Sequence, residues 1–407
     1  MAHPPKDRKP ASGSTLTALT AAAMALPAYQ AQAANRDDQA KLSMRFSQYG
    51  EHRLEREKVQ GNNRDRYDIS VIQVSAAIPA FQRLQVKVNS QYEVMSGASP
   101  WWVQPSDPSD PNNSEPVQIM SGATIDDARG DLSVDTRYYG DAVEFGVSVG
   151  ASKEKDYQSV NAGVDMRVDL PGKQTSINFG VGASDDHLEP TDARTTTYAS
   201  RVDEADKTSV NAVVGLTQIV SPTVIFKTAV SFTQHDGYLT DPYKMVWINQ
   251  AVEQERRPDQ RNMVAWSNQL RIRVVPLAAS LHLDYRYFND DWDIESHTAE
   301  IGWYQSLGES WSIAPRLRYY SQSQSFFYSP FYNRRRTDGF HSSDYRLSPY
   351  GSINFGLGLT KRHGPNAIVI SLDSYDSAGD YALQKVAVEN PGLVDFTRLS
   401  VGMDFGL

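Results

Sequence analysis

Val160-Asn161-Ala162-Gly163-Val164-Asp165-Met166-Arg167-Val168 places an apolar residue at every even position and a polar residue or glycine at every odd one. Successive side chains of a strand point to opposite faces, so this stretch predicts a ribbon with one greasy and one hydrophilic side. The pattern recurs in both directions along the chain. Leu84, Val86, Val88, Tyr92 and Val94 interleave with Gln85, Lys87, Asn89, Gln91 and Glu93. Val143, Phe145, Val147 and Val149 alternate with Glu144, Gly146, Ser148 and Gly150. Ala279, Leu281, Leu283, Tyr285 and Tyr287 alternate with Ser280, His282, Asp284 and Arg286. Leu399, Val401, Met403, Phe405 and Leu407 stand against Arg398, Ser400, Gly402, Asp404 and Gly406. On this assignment the apolar faces carry no Asp, Glu, Lys or Arg, and the opposite faces carry many. A soluble sandwich alternates too, but its core face must meet a second sheet. Here nearly every long strand has the same two-sided character, and no helical segment is available to cover it.

Sixteen strands follow from this reading, at about 42–49, 67–78, 82–95, 128–139, 142–152, 157–170, 174–184, 207–220, 223–234, 261–275, 279–289, 296–306, 310–321, 346–360, 366–374 and 395–407. Asp68 to Ile78 alternates less cleanly than the others. From the second strand on, every second link is tight and rich in turn residues: Pro79-Ala80, Gly140-Asp141, Pro171-Gly172, Ser221-Pro222, Pro276-Leu277, Gly308-Glu309 and His363-Gly364-Pro365. The intervening links are mostly long, at about 50–66, 96–127, 185–206, 235–260, 322–345 and 375–394, with short ones near 153–156 and 290–295. Lipid offers no partner for backbone amides, so a sheet spans it only by closing on itself. The expectation is an all-β fold: a transmembrane, up-and-down antiparallel β-barrel of about sixteen strands, with short periplasmic turns and long extracellular loops. Tyr138, Trp266, Tyr287, Trp303, Trp311 and Tyr319 fall near strand ends, where aromatic girdles belong.

Composition narrows the class further. The 407 residues include no cysteine, which excludes a disulfide scaffold, a Cys zinc site, an iron–sulfur cluster and thiol chemistry. A net charge of −9 argues against nucleic acid as a partner. Tyr 21, Phe 14 and Trp 7 supply the amphipathic rings favoured at a water–apolar boundary. Lys6, Arg8 and Lys9, then the short apolar run Leu16 to Leu26, then small residues ending in Ala31-Gln32-Ala33, have the three-part layout of a secretory signal. The expected organisation is a signal over 1–33, a short periplasmic segment over 34–41, and a barrel over 42–407 in the cell outer membrane. The last strand resembles the C-terminal signal read by the barrel-assembly machinery, though it ends in Leu407 rather than Phe.

Five phrases carry a further resemblance: Ser96-Gly97-Ala98-Ser99-Pro100, Gly237-Tyr238-Leu239-Thr240-Asp241-Pro242-Tyr243-Lys244, Arg257-Pro258-Asp259-Gln260-Arg261, Arg318-Tyr319-Tyr320-Ser321-Gln322 and Ser343-Asp344-Tyr345-Arg346-Leu347-Ser348. Over roughly 41–407 the chain resembles an outer-membrane family known only as domain of unknown function 3570. The resemblance implies a proteobacterial outer-membrane protein. It also implies a redox-related setting, because genes of that family tend to lie beside those for a flavin-attaching transferase, a thioredoxin-like protein and a small lipoprotein. It implies no activity.

Two regions could carry function. Inward positions on the fourth to sixth strands include Asp131, Asp135, Glu144, Asp165 and Asp169 with Arg137 and Arg167 among them, while those on the tenth to thirteenth include Arg271, Arg273, Arg286, Arg316 and Arg318 with Asp284 and Glu300. In a sixteen-stranded ring these groups lie on roughly opposite walls, so they could set a transverse field across a narrow pore. They could equally pair with neighbours and plug the lumen. The loop over 235–260 carries Tyr238, Asp241, Tyr243, Lys244, Arg257 and Asp259; the loop over 322–345 carries Arg334, Arg335 and Arg336. Arg clusters can hold phosphate in a bidentate fork, though charge runs most often simply face water.

Gly146-Val147-Ser148-Val149-Gly150 matches G-x-S-x-G by letter, but that motif needs a strand-to-helix elbow and this one lies mid-strand. The histidines show no metal-ligand spacing, so no catalytic residue, cofactor or metal is expected. The primary expectation is a conduit for small polar or charged solutes. The alternative is a largely plugged barrel acting as a scaffold for envelope partners. The partners implied are outer-membrane lipid and lipopolysaccharide, the barrel-assembly machinery during biogenesis, and periplasmic or lipoprotein neighbours.

Overall fold

The alternation produces strands because each ribbon can bury its polar face only against its own kind and show its apolar face only to lipid. In the computed structural model, which describes residues 39–121, 125–193 and 201–407, those strands close into one ring. They are β1 (Lys41–Glu51), β2 (Asp68–Ala80), β3 (Leu84–Gly97), β4 (Ile125–Tyr139), β5 (Val143–Lys153), β6 (Tyr157–Asp169), β7 (Thr175–Leu188) and β8 (Ala205–Ser221). The second half comprises β9 (Val224–Gly237), β10 (Gln260–Val274), β11 (Ala279–Asp290), β12 (Glu295–Leu307), β13 (Trp311–Gln322), β14 (Tyr350–His363), β15 (Asn366–Ala378) and β16 (Phe396–Gly406). Each strand pairs antiparallel with its sequence neighbours, and β1 pairs with β16 from Lys41–Gly406 to Glu51–Phe396. The sixteen strands stand where the period of two placed them. The expected signal over 1–33 and most of 34–41 lie outside the described residues.

Two departures have local causes. The fourteenth strand begins at Tyr350 rather than 346, because Tyr345–Leu347 forms a tight 3-10 turn whose N-cap, Asp344, accepts a hydrogen bond from the Arg346 amide. The uneven alternation of β2 arises because its outer end is apolar on both faces. Ile69 packs inward with Tyr67 and Met95, while Ile72 faces lipid.

The lipid-facing row includes Met44, Phe46, Val164, Phe179, Val230, Leu317, Phe355 and Ile370, all exposed. On a soluble protein such a continuous apolar belt would be a liability. Tyr138 and Trp311 lie on the same face at the short-turn end, where a girdle belongs. Inside, small residues make room for long ones. A Cβ on Gly146 would come within 2.3 Å of Asp165 Oδ1, and one on Gly356 within 2.8 Å of Asp373 Oδ1. Glycine at these two positions lets charged side chains lie across the wall.

The long loops do not splay outward. Pro100–Pro105, Pro116–Met120 and Val59–Gln60 form a three-stranded sheet, and Met245–Ile248 pairs with Ala251–Gln254. Short bridges tie Ile248 to Tyr332 and Arg256 to His341. Val246, Ile248 and Tyr332 form one buried cluster, and Trp292, Ile294, Phe327, Tyr328 and Leu347 form another. Lys244 Nζ donates to the Pro100 carbonyl at 2.6 Å, and Asn390 Nδ2 donates to Tyr328 Oη and the Ser343 carbonyl at 2.9 and 3.0 Å. Arg66 Nη1 reaches the Gly392 carbonyl at 3.2 Å. Segments from both halves of the chain are thereby knitted into one cap over the outer mouth.

Candidate functional site

The inward charges expected from the sequence all sit on the polar face, and most pair with an adjacent strand. Arg137 Nη2 donates to both oxygens of Asp165 at 2.7 and 2.9 Å. Glu144 lies between Arg167 at 3.4 Å and Arg137 at 3.8 Å. Asp169 meets Arg167 at 3.0 Å, Asp131 meets Arg129 at 2.9 Å, and Asp135 accepts from Asn89 at 2.9 Å. Across the ring, Arg271 pairs with Asp284 at 2.7 Å and Arg318 with Glu300 at 2.7 Å. Arg316 and Arg398 share Asp373 at 3.1 and 2.9 Å. Arg286 rests against the Phe288 ring at 5.4 Å. Arg273 sits near the short-turn end, its amide donating to the Thr223 carbonyl at 2.8 Å. Most of these charges thus meet an opposite charge within a few ångströms, while acids outnumber arginines on the first wall and arginines outnumber acids on the second. Asp373, Arg398 and Arg129 complete the pairing. Arg398 had the inward parity to announce itself, but no spacing linked Asp373 to two arginines.

The loop candidates divide sharply. Arg257 is inside the cap, with Glu255 at 2.9 Å and Asp344 at 2.8 Å. Arg346 grips Asp344 and reaches Asp241 at 3.3 Å. Glu255 and Asp344 have fully buried side chains, at 0% exposed. Burial alone would raise the Asp344 carboxyl, but Arg346, Lys244 and Arg257 outweigh it and hold the group well below its ordinary range. Burial pushes Glu255 up and Lys244 down. Tyr243 Oη donates to Asp156 Oδ2 at 2.5 Å, and the Arg201 guanidinium lies 4.8 Å over its ring. The Tyr238 amide donates to the Asp206 carbonyl, and the Asp259 carbonyl accepts from Gly237, both at 2.9 Å. In the arginine run, Arg335 pairs with Glu253 and Arg336 with Asp338, both at 2.5 Å, while Arg334 is exposed.

Water separates the two regions. Side chains in the lumen remain substantially accessible, with Asp165 44%, Arg318 55% and Arg398 47% exposed. In the mouth Glu255 and Asp344 are dry, as are Glu51 and Arg66 at 1% each. The arrangement is a wet, largely ion-paired lumen under a lid whose central ion pairs are dry. Ser148 of the G-x-S-x-G letters is mid-strand in β5, and its hydroxyl bonds to the Gly163 carbonyl at 3.5 Å.

A third feature escaped the sequence reading. Asp127 on β4 and Glu154 and Asp156 of the β5–β6 turn bring one carboxylate oxygen each to within 4.8 Å of one another. All three residues are buried. Burial, more than any neighbour, raises the Glu154 carboxyl to about 8 and that of Asp156 to about 6.

A closed ring of sixteen antiparallel strands, apolar outside and polar inside, defines an integral outer-membrane β-barrel. The chain belongs to the DUF3570 family, "Protein of unknown function", whose profile matches residues 16–391. No curated protein matches it. Among solved structures, CdiB from Acinetobacter baumannii is similar at TM-score 0.51 and 6% identity, over 91% of this chain and 60% of that one. The siderophore receptor PirA from Pseudomonas aeruginosa aligns at TM-score 0.44 and 11% identity, over 90% and 62%. A bacterial polysaccharide outer membrane secretin aligns at 0.48 and 9%, over 91% and 99%. The chain spans about three fifths of the length of PirA. At these identities the likeness is one of fold.

Proposed function

We propose that the protein works as a mouth-sealed barrel: a scaffold in the outer membrane that presents its rim and periplasmic turns to envelope partners, and not a standing pore. The observation that carries this reading is the cap. Opening it would strip partners from the buried Glu255 and Asp344, which are paired with the largely covered Arg257 and Arg346. Separating a buried ion pair leaves an uncompensated charge, which is strongly unfavourable. Thermal fluctuation alone therefore rarely opens the mouth. The partners that fit are periplasmic or lipid-anchored proteins able to reach the short turns, together with lipopolysaccharide at the rim.

Planar-bilayer recording of pure refolded protein tests the reading. The expected trace has no sustained steps above background. Steady conductance from the wild type would overturn it and restore the open conduit. Affinity capture of crosslinked envelopes gives the complementary positive result, a recurrent periplasmic or lipoprotein partner lost when the turns are exchanged.

A second reading draws on the wet lumen. Exposed, alternating charges at Asp165, Arg318 and Arg398 suit passage of small polar solutes once the cap is displaced. On that reading the barrel is a gated conduit and the cap is its gate.

A further inference from the structure

Most outer links fold over the mouth, but the one between β5 and β6 is only three residues long, Glu154 to Asp156. β5 has 11 residues, about the number a tilted strand needs to cross the hydrocarbon. Its last residue, Lys153, therefore stands where acyl chains give way to head groups. Lys153 shares the lipid-facing parity of Val143, Phe145, Val147 and Val149, and both it and Lys155 are exposed. Glu154 and Asp156 are buried, at 3% and 4%. The charge that this link shows to the outer leaflet is thus two ammonium groups, and neither has an ion pair with any described residue. The other short outer link, over 291–294, exposes Asp291 and Asp293 instead, so the basic charge belongs to this place and not to short links in general.

Beneath the lysines the lipid-facing wall is recessed. Tyr92, Gly130, Lys153 and Gln158 lie on one rung across β3 to β6. Gly130 puts no side chain between Tyr92 and Lys153, and a Cβ there would meet nothing within 4 Å. The recess reaches Lys155 above and runs below along Leu132, Ala151 and Val160, which form the next rung. Tyr92, Leu132 and Val160 are 51%, 53% and 59% exposed, so its flanks are apolar. Asp185, opposite Val160 on β7, is exposed and bounds the basic patch on that side.

An apolar trough that ends at two unpaired cations is complementary to a lipid with an anionic head. Hydrocarbon fills the gap left by the missing side chain, and the phenol of Tyr92 suits the boundary. Each lysine near an anionic lipid surface adds attraction, and an ammonium group holds phosphate as a point charge. In the outer leaflet the lipid that meets this description is lipopolysaccharide.

We propose that the recess at Gly130 holds an acyl chain of one lipopolysaccharide molecule, with a phosphate of its head group between Lys153 and Lys155. The proposal deepens the rim contact of the scaffold reading and rests on it only for the outer-leaflet position of the link; a conducting barrel would leave it intact.

The test uses the full chain, refolded in detergent free of lipopolysaccharide and of divalent cations. Purified lipid A, the phosphorylated anchor of lipopolysaccharide, is the probe, read by native mass spectrometry and thermal unfolding. One tightly retained lipid A per chain is expected, with the melting temperature raised by several degrees at ~100-fold excess over Kd. Lys153→Gln with Lys155→Gln is expected to weaken binding about 30-fold. Gly130→Ile, which fills the recess at unchanged charge, is expected to weaken it as well. Lys173→Gln, an exposed lysine in the β6–β7 turn at the opposite end of the barrel, is expected to change nothing. Dephosphorylated lipid A is expected to bind the wild type as weakly as lipid A binds the double variant, and this arm needs no variant to fold. Retention of phosphatidylethanolamine as tight as that of lipid A overturns the proposal. So does equal binding by the wild type and a folded double variant, displacement of lipid A by equimolar inorganic phosphate, or a dimer in place of the lipid adduct.

Discussion

Asp344 concentrates the energetics of the mouth in one side chain. It meets Arg257 at 2.8 Å and grips Arg346, and it caps the turn that precedes β14. Asp344→Ala would leave two largely covered guanidiniums without that partner. Loss of about 3–5 kcal/mol is expected, the usual cost of removing one member of a buried ion pair. Equilibrium unfolding in detergent measures it, and a change below ~1 kcal/mol would mean that the cap is hydrated and loose. None of this was legible beforehand. Asp344 and Arg346 stood in a phrase that marked a family, and Glu255 drew no attention. The contact from Arg257 to Asp344 joins positions 87 apart, and no local period encodes such a distance. Asp156 was hidden for a different reason. It lies in a three-residue turn, where a charge is ordinarily expected to face water.

At the scale of the strand, the reading was nearly complete. A period of two is a local property, and lipid outside with water inside enforces it on every strand. The one clear lapse, β2, occurs where the inner face also becomes apolar to meet the cap. β15 offers a direct test of facing. Ile370 points to lipid at 42% exposure, and Ser371 points to the lumen. Ile370→Arg is expected to destabilise the folded barrel by about 2–4 kcal/mol if it lies near the midplane. Ser371→Arg, one residue on, is expected to cost far less because its head group reaches water. Comparing the urea midpoints of the two variants checks this, and a larger loss from Ser371→Arg than from Ile370→Arg would mean that the faces are reversed.

For the whole molecule, the question is whether the cap is the only barrier across the ring. Excising residues 325–343 and rejoining the ends with a short glycine–serine link removes the core of the lid, including Phe327 and Tyr332, and leaves all sixteen strands. Single-channel steps are expected from this variant and not from the parent. Heat-modifiable gel migration verifies that the ring has closed. A silent variant with a closed ring would place a second obstruction lower in the lumen. Loop length and the sorting of short from long links were plain in the sequence, but how the loops fold back was not. Interlocking depends on pairs such as Lys244 with Pro100 and Asn390 with Tyr328, drawn from segments that no repeat or spacing relates.

The seam between β1 and β16 carries a last consequence. Its partners, such as Phe46 and Val401, are among the most widely separated in the chain, and the Leu407 amide donates to the Ala40 carbonyl at 2.8 Å. Until that stitch is made, two ribbon margins stay raw, with amides that hydrocarbon cannot satisfy. Nascent copies are thus most vulnerable to mispairing with one another just before completion, and whatever chaperones them must shield both margins at once.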